Sequence, residues 1–438
     1  MTSRREFLNK FLLTTGAAFV VLKTDAIARA AEAVEKYATD LTPKELASDD
    51  AFWGRIQSAF DVDRTLINLN NGGVSPSPKV VIDAFKRYTD YSNQAPAYFM
   101  WRHVEPQVET VREKLAIAFG ADKEEIAITR NASESLQIVQ QGMNLKEGDE
   151  VLTTTQDYPR MITTYTQLER RWGVKLVQVP YPTPLINRED YVNAFKKGIT
   201  SKTKAILVSH ICFLTGQILP ILEVSRLAHQ YGIPVICDAA HSFNHIPYKL
   251  KDLECDFFGT SLHKWTYAPV GTGMLYVKKD LIKTIWPLMA APKEMDENIR
   301  KFEEIGTHPA ATHNAIGEAL AFNEAIGIER KAERFRYLHS RWINRVKDFS
   351  NVKFRLNIND ASSWCGLVNF YIDGVDVGKL VDYLLAKHRI YVVPIVHPEF
   401  KGIRVTPNVY TLVSEIDLFG DIIVSVAKGE VKEVMETN

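Results

Sequence analysis

Apolar and polar positions follow two different rhythms along this chain, and the change between them divides it. From Ile126 onward, short apolar runs are spaced by segments of helical period. Ile126–Thr129, Glu150–Thr154, Lys175–Val179, Lys204–Ile211 and Pro234–Cys237 read as strands. Ser133–Met143, Met161–Trp172, Tyr191–Ile199 and Leu222–Tyr231 read as the helices between them. The runs at 204–211 and 234–237 are apolar with no clean alternation, which marks strands covered on both faces. This order predicts an α/β fold with a mostly parallel central sheet flanked by helices. Upstream, Ile67 to Gly73 reads as a short strand ending in a glycine turn. Ser77-Pro78 opens a helix from about Lys79 to Tyr91, since proline suits the first helical turn. Gln107–Phe119 reads as another helix, closed by Gly120.

After Phe302 the rhythm changes. A long helical stretch runs from about Asn314 to Ser350. Strand-like segments follow at Cys365–Ile372, Ile390–Val393 and Gly402–Thr406, with helices between them and at the end. A smaller α+β C-terminal domain is expected over residues 311–438, after a large domain over 67–310. Residues 31–66 are expected to form a polar helical arm, interrupted at Pro43 and Gly54.

The first 30 residues read as an address. Arg4-Arg5 precede Phe7-Leu8, a short apolar run covers Phe11 to Leu22, and Ala28-Arg29-Ala30 offers a small-x-small cleavage site. The run is too short for a helix across a bilayer of about 30 Å. The paired arginines resemble a twin-arginine signal. That resemblance implies recognition by the twin-arginine export machinery and a periplasmic or otherwise exported location.

Composition adds mainly exclusions. The 438 residues carry 53 Lys plus Arg and 53 Asp plus Glu, so nothing favours nucleic acid as a partner. The four cysteines, Cys212, Cys237, Cys255 and Cys365, show no CxxC pair, and no metal site is expected.

Candidate chemistry concentrates in two segments. Pro234 to Cys237 is an apolar strand that delivers Asp238 at its end, followed by Ala239-Ala240-His241. Ligands of open α/β sheets bind at that edge. Downstream, Thr260-Ser261-Leu262-His263-Lys264 places a lysine behind hydroxyls and a histidine, ahead of Gly271-Thr272-Gly273. A lysine amine and a strand-end carboxylate are the pair that pyridoxal 5′-phosphate chemistry requires. With Asp-Ala-Ala-His and Ser-x-His-Lys together, the chain resembles the class V pyridoxal-phosphate enzymes of the aspartate-aminotransferase fold. The branch is that of isopenicillin N epimerase-like proteins, cysteine desulfurases and kynureninases. The likeness runs from about Asn68 to Lys428.

The resemblance implies Lys264 as the Schiff-base lysine and general base, and Asp238 as partner of the pyridine nitrogen. It implies a phosphate site at Ala132 and Ser133, shaped by Asn131 at a helix start where free amides favour an anion. Ser133 as a helix cap is compatible with that role. By the same resemblance Ser261 and His263 would be further phosphate ligands, with a structural role for His263 as the alternative, and Tyr158 would be a ring stacked on the cofactor or a packed turn residue. His210 and His241 lie beside the cofactor or are satisfied core histidines, with His241 also a catalytic candidate. Gln217 is a candidate for the pocket wall. Thr307, in Gly306-Thr307, would reach the phosphate of a neighbouring subunit, so a homodimer with shared active sites is implied. Arg404 would grip the substrate carboxylate, because a guanidinium fork matches it in bidentate fashion. The aromatic stretch Tyr91 to His103 reads as a loop that either packs on itself or lines the site, with Tyr98 or His103 as a second proton-transfer group.

The implied reaction starts with an amino acid forming an external aldimine and losing its α-proton to Lys264. Epimerase-like or aminotransferase activity is the leading expectation, and a C–S or β-lyase the alternative. A desulfurase needs a nucleophilic cysteine near Arg404, and Val393 to Lys401 contains none. The expectation of another class is an exported binding protein that has lost catalysis, which intact Lys264, Asp238 and Arg404 argue against.

Overall fold

The computed structural model describes residues 41–436; the expected export signal over 1–30 lies outside them. Strand β1 (Ile67–Asn68) precedes a large sheet of β2 (Ile126–Thr129), β3 (Glu150–Thr154), β4 (Lys175–Val179), β5 (Thr203–Ser209), β6 (Val235–Asp238), β7 (Phe257–Ser261) and β8 (Gly273–Val277). Their spatial order is β2-β8-β7-β6-β5-β3-β4. The run from β7 to β4 is parallel, and β8 is antiparallel to both neighbours. The mostly parallel sheet expected from the sequence is therefore present. Successive residues feed opposite cores. Ala205 and Leu207 join Val151, Ile236, Phe257 and Leu275 on one face. Ile206 and Val208 join Leu152, Val235, Cys237 and Phe258 on the other. Each side chain so buried contributes about 1.5–3 kcal/mol.

Strands β7 and β8 have no counterpart in the sequence reading, because their glycines and hydroxyls hide them. Those glycines are packing requirements. A Cβ on Gly259 would lie 2.7 Å from Leu136 Cγ, in the Ala132–Gly142 helix that crosses the sheet. A Cβ on Gly273 would lie 2.6 Å from the backbone of Asn131.

The C-terminal part holds β9 (Val352–Phe354), β10 (Val368–Ile372), β11 (Ile390–Tyr391), β12 (Val393–His397) and β13 (Phe400–Val405). An antiparallel sheet ordered β12-β13-β10-β9 packs against helices Ile328–Val346, Val377–His388 and Val413–Ala427 through Trp342, Leu384, Phe419 and their neighbours.

Four readings change. Strand β1, expected to open the large domain, pairs in parallel with β11 through Ile67↔Ile390 and Asn68↔Tyr391. Two residues cannot form a sheet alone, and Ile67 packs on the C-terminal core instead. The helical stretch from Asn314 breaks at Gly327, whose φ of +85° suits glycine and ends the helix. The aromatic segment after Tyr91 is helical rather than a loop: Lys79–Gln94 gives way at Ala95 to Pro96–Phe99 and a wider turn over Met100–Val104. Within the expected polar arm, helix Asp50–Gln57 buries Phe52, Trp53 and Ile56. Among the described residues no helix is long and apolar enough to cross a membrane.

Gly216 joins the two regions most tightly. Its φ is +87°, and a Cβ there would lie 1.9 Å from the Leu367 carbonyl oxygen. Gly216→Ala is expected to lose on the order of 3 kcal/mol. Thermal unfolding followed by circular dichroism checks this, and an unchanged midpoint would refute the contact.

Candidate active site

The C-terminal ends of β2, β3, β5, β6 and β7 reach one edge of the large sheet, because β2 and β7 both run antiparallel to β8. The order along the chain jumps here, since β2 lies at one side and β3 near the other. Such a crossover opens the crevice in which α/β sheets bind ligands.

Asp238 ends β6 and Lys264 follows β7. Asp238 is buried and accepts a hydrogen bond from the Ala240 backbone N–H at 3.0 Å. Burial pushes its carboxyl up to about 6, against the pull of that N–H and of Lys264; the charge of Asp157 adds to the rise. Lys264 is half-buried, and its Nζ lies 3.2 Å from His241 Nε2. Burial lowers its amine to about 8, with Asp238 opposing and Arg404 assisting. Among the described residues the two form no ion pair, so neither charge is neutralised by direct contact. The buried imidazole of His241 is held well below its usual range by burial first and then by Lys264 and Arg404. Its Nδ1 has no partner.

The Ala132–Gly142 helix begins at this edge. Asn131 caps it, its Oδ1 accepting from Glu134 N–H at 2.9 Å. The Ala132 N–H donates to Ser261 Oγ at 2.9 Å, so two expected anion ligands meet. The Ser133 amide and hydroxyl make no hydrogen bond within the described residues. His263, next to Lys264, has an unpartnered Nδ1 and an imidazole lowered to about 4 by burial and by Lys264.

Arg404 enters from β13. Its Nη1 donates to Phe213 O at 2.9 Å and its Nη2 to Asn70 Oδ1 at 3.1 Å, while Nε is buried without a partner. Burial lowers the guanidinium to about 10. Tyr158 stands edge-on to Phe213 at 5.2 Å, which places that turn beside Arg404's anchor.

Of the other expected residues, His210 stays at this edge, its backbone N–H donating to the Asp238 carbonyl oxygen at 2.9 Å. The His210 ring packs edge-on to Tyr248 at 4.7 Å, and burial lowers its imidazole to about 3. Gln217 is buried and spans to the 357–363 segment, donating to Ser363 O at 3.3 Å. Thr307 is exposed after the left-handed Gly306 and touches none of these groups within its own chain. Tyr98 and His103 pack on each other at 5.2 Å, and Tyr98 is exposed.

Two positions that brace this edge escaped the sequence reading. Asp157 is a buried carboxylate that accepts from Thr153 Oγ1 (2.7 Å), Thr154 N–H (2.9 Å), Thr154 Oγ1 (2.6 Å) and Ser209 Oγ (2.6 Å). Its signal was the run of threonines just before it. Asn70, which steadies Arg404, looked like part of a glycine turn.

The family model for Aminotransferase class-V matches residues 67–393. The chain belongs to this family. It is 24% identical over 388 residues to isopenicillin N epimerase from Streptomyces clavuligerus, covering 85% of this chain and 97% of that one. Among solved structures it is similar to the apo cysteine desulfurase from Thermococcus onnurineus NA1, with TM-score 0.76, 24% identity and coverage of 86% and 98%. It is also similar to the cystine C–S lyase C-DES in complex with its reaction product cysteine persulfide, with TM-score 0.74, 23% identity and coverage of 83% and 98%. These two likenesses show the fold.

Class V enzymes use pyridoxal phosphate, and the residues here fit it. Lys264 carries an amine without a carboxylate partner. The Ser133 amide and hydroxyl, the Ala132–Ser261 contact and His263 are the groups that would hold the cofactor's phosphate. Asp238 would face the ring nitrogen, and Tyr158 and His241 would flank the ring.

The raised pKa of Asp238 has a consequence for stability. A carboxyl whose folded value of about 6 exceeds the ordinary 3.8 contributes stability that is full below 3.8 and lost as pH rises through about 6. Asp238→Asn removes that loss. In the cofactor-free chain it should raise the unfolding temperature at pH of about 8, by a stabilisation on the order of 2 kcal/mol, and by only about a third as much near pH 4.5. An equal gain at both pH values would contradict the assignment.

Proposed function

We propose that this class V enzyme works at the α-carbon of an amino acid, as an isopenicillin N epimerase-like enzyme or an aminotransferase, with Lys264 moving the α-proton. One observation carries the reading: an amine lowered to about 8 stands against His241, within the fields of Asp238 and Arg404, at the strand edge that binds ligands. Bound pyridoxal phosphate supplies a sink for the electron pair left when a bond to Cα breaks. The chain supplies the rest. Arg404 is pre-oriented by Phe213 and Asn70, and its free Nε faces an incoming carboxylate's need for a donor. Lys264, lowered to about 8, has a far larger neutral fraction near neutral pH than an ordinary lysine, so Nζ can accept the α-proton and return it. Asp238 keeps a negative charge or a proton available at the base of the site.

A C–S or β-lyase is the second reading, supported by the likeness to a cystine C–S lyase. A desulfurase with its own nucleophilic thiol is disfavoured. The stretch before Arg404 is a tight β12–β13 hairpin without cysteine, and all four cysteines are buried. Burial pushes the Cys365 thiol up to about 12, far from the reactive thiolate. We also propose a homodimer, because Thr307 is exposed and unused by its own chain, and export by the twin-arginine route on the strength of Arg4-Arg5 and the apolar run after them.

The test uses the full chain loaded with pyridoxal phosphate, wild type beside Lys264→Ala, and L- and D-amino acids in deuterated water. Borohydride should fix the visible band covalently in wild type alone. Lys264→Ala should slow α-hydrogen exchange by about 10²–10⁴-fold. Inverted amino acid, keto acid or released sulfur species then selects the branch. A wild type with no band, or equal exchange in both proteins, would end the proposal.

A further inference from the structure

Beneath the Lys264–His241 pair lies a buried assembly that the reaction itself does not use. Trp265 follows Lys264 directly, and its indole stacks on the His245 ring at 3.7 Å with only 6° between the planes. His245 Nδ1 lies 2.6 Å from the His241 carbonyl oxygen. A carbonyl only accepts, so Nδ1 carries the proton. The Gly366 N–H donates to His245 Nε2 at 2.7 Å. Both ring nitrogens are thereby engaged, and the ring is a neutral imidazole of defined tautomer. Gly366 is required for this approach, since a Cβ there would lie 2.8 Å from His245 Nε2.

The other side of Trp265 is fixed as well. Lys331, fully buried and without a carboxylate partner among the described residues, donates to the Trp265 carbonyl oxygen and to Asn323 Oδ1 (2.7 Å). Its Nζ also sits 4.0 Å from the centre of the Tyr267 ring. Asn323 Nδ2 donates to Thr266 O at 2.7 Å. The backbone just after Lys264 is thus held from the Ile316–Ile326 and Ile328–Val346 helices. His245 touches both neighbours of the amine: the Trp265 ring and the His241 backbone.

We propose that His245 is a positioning residue for Lys264, holding His241 and Trp265 so that the amine stays at hydrogen-bond distance from His241 Nε2. This rests on the assignment of Lys264 as the cofactor lysine. Asp238 and Arg404 act on Lys264 electrostatically, and Lys264 in turn acts on His241 and His263. Lys331, Arg336, His339 and the His241 backbone act on His245. None of these residues is itself substituted when His245 alone is changed, so a shift in the readings reports their displacement.

The experiment compares wild type, His245→Phe and His245→Asn as full chains, each with its unfolding temperature measured. His245→Phe keeps an aromatic ring for Trp265 and loses both hydrogen bonds. His245→Asn restores a donor near Nδ1. Two quantities are read: the rate at which added pyridoxal phosphate develops its visible band, and the pH midpoint of that band. In His245→Phe, capture should slow by about tenfold, and the midpoint should move by about half a unit or more. His245→Asn should recover most of both. Unchanged rate and midpoint in a folded His245→Phe protein, or shifts that His245→Asn fails to reverse, would overturn the proposal and leave His245 a packing residue. If His245→Phe does not fold, Trp265→Phe decides on the same two readings. It narrows the stacking surface without removing a hydrogen bond, and unchanged values there would equally overturn the proposal. A wild type that develops no band would instead refute the cofactor assignment on which this rests.

Discussion

Two opposite charges removed from water without being allowed to pair are the constraint on which this site depends. Lys264 and Asp238 sense each other, yet among the described residues no ion pair joins them. Each is moved toward its neutral form, the amine to about 8 and the carboxyl to about 6. A direct pair would return both to full charge and give a stable, inert contact. The separation is built by strand order. Asp238 ends β6, Lys264 leaves the adjacent β7 after three further residues, and His241 stands at the amine in place of a carboxylate. Keeping that arrangement costs stability in the cofactor-free chain, which is common where a site must be ready for a ligand.

The same edge gathers the remaining groups because backbone can approach backbone. Gly273 lets β8 run against Asn131, and Gly259 lets Leu136 lie on β7. Together they bring the start of the Ala132–Gly142 helix to Ser261. Asp157, just after β3, contributes a second buried carboxylate that accepts four hydrogen bonds, and its field is one reason Asp238 holds a proton more readily. The C-terminal region supplies Arg404 and is fastened to the large sheet by close contacts at Gly216–Leu367 and His245–Gly366, so guanidinium and amine are referenced to each other through rigid parts.

Much of this was legible in the sequence where chemistry and pattern coincide. Strands β5 and β6 are apolar runs that meet both cores, and their exits carry His210 and Asp238. Lys264 was legible from its neighbours Ser261 and His263. Strands β7 and β8 were not, since a strand selected for helix approach trades β-branched residues for glycine and reads as a loop. Strand β1 was misplaced because its partner, β11, lies more than 300 residues away in sequence, and local pattern has no access to that pairing. The aromatic segment after Tyr91 looked like a loop because Pro96 and the bulky rings mask a helix whose apolar side is left partly exposed. Asp157, Asn70 and His245 share one reason for escaping notice: each acts by hydrogen bonds across the fold, so its role follows from distance in space.

The hairpin before Arg404 bears most directly on which reaction this scaffold runs. A protein thiol that attacks sulfur must be mobile, exposed and ionised. This chain has instead a two-stranded turn tied down at its tip: Glu399 accepts from Gln156 Nε2 at 2.9 Å and from Thr155 Oγ1, and His397 Nε2 contacts Thr155 O at 3.1 Å. The tie joins the strand of Arg404 to the turn of Tyr158, so the element that in a desulfurase would carry a moving nucleophile here braces the pocket. A braced pocket with an amine lowered to about 8 and four buried cysteines supports the proposed movement of a proton at Cα, or expulsion of a leaving group already on the substrate. It gives no support to drawing sulfur onto the protein, which is why the proposal puts proton chemistry first and C–S elimination second.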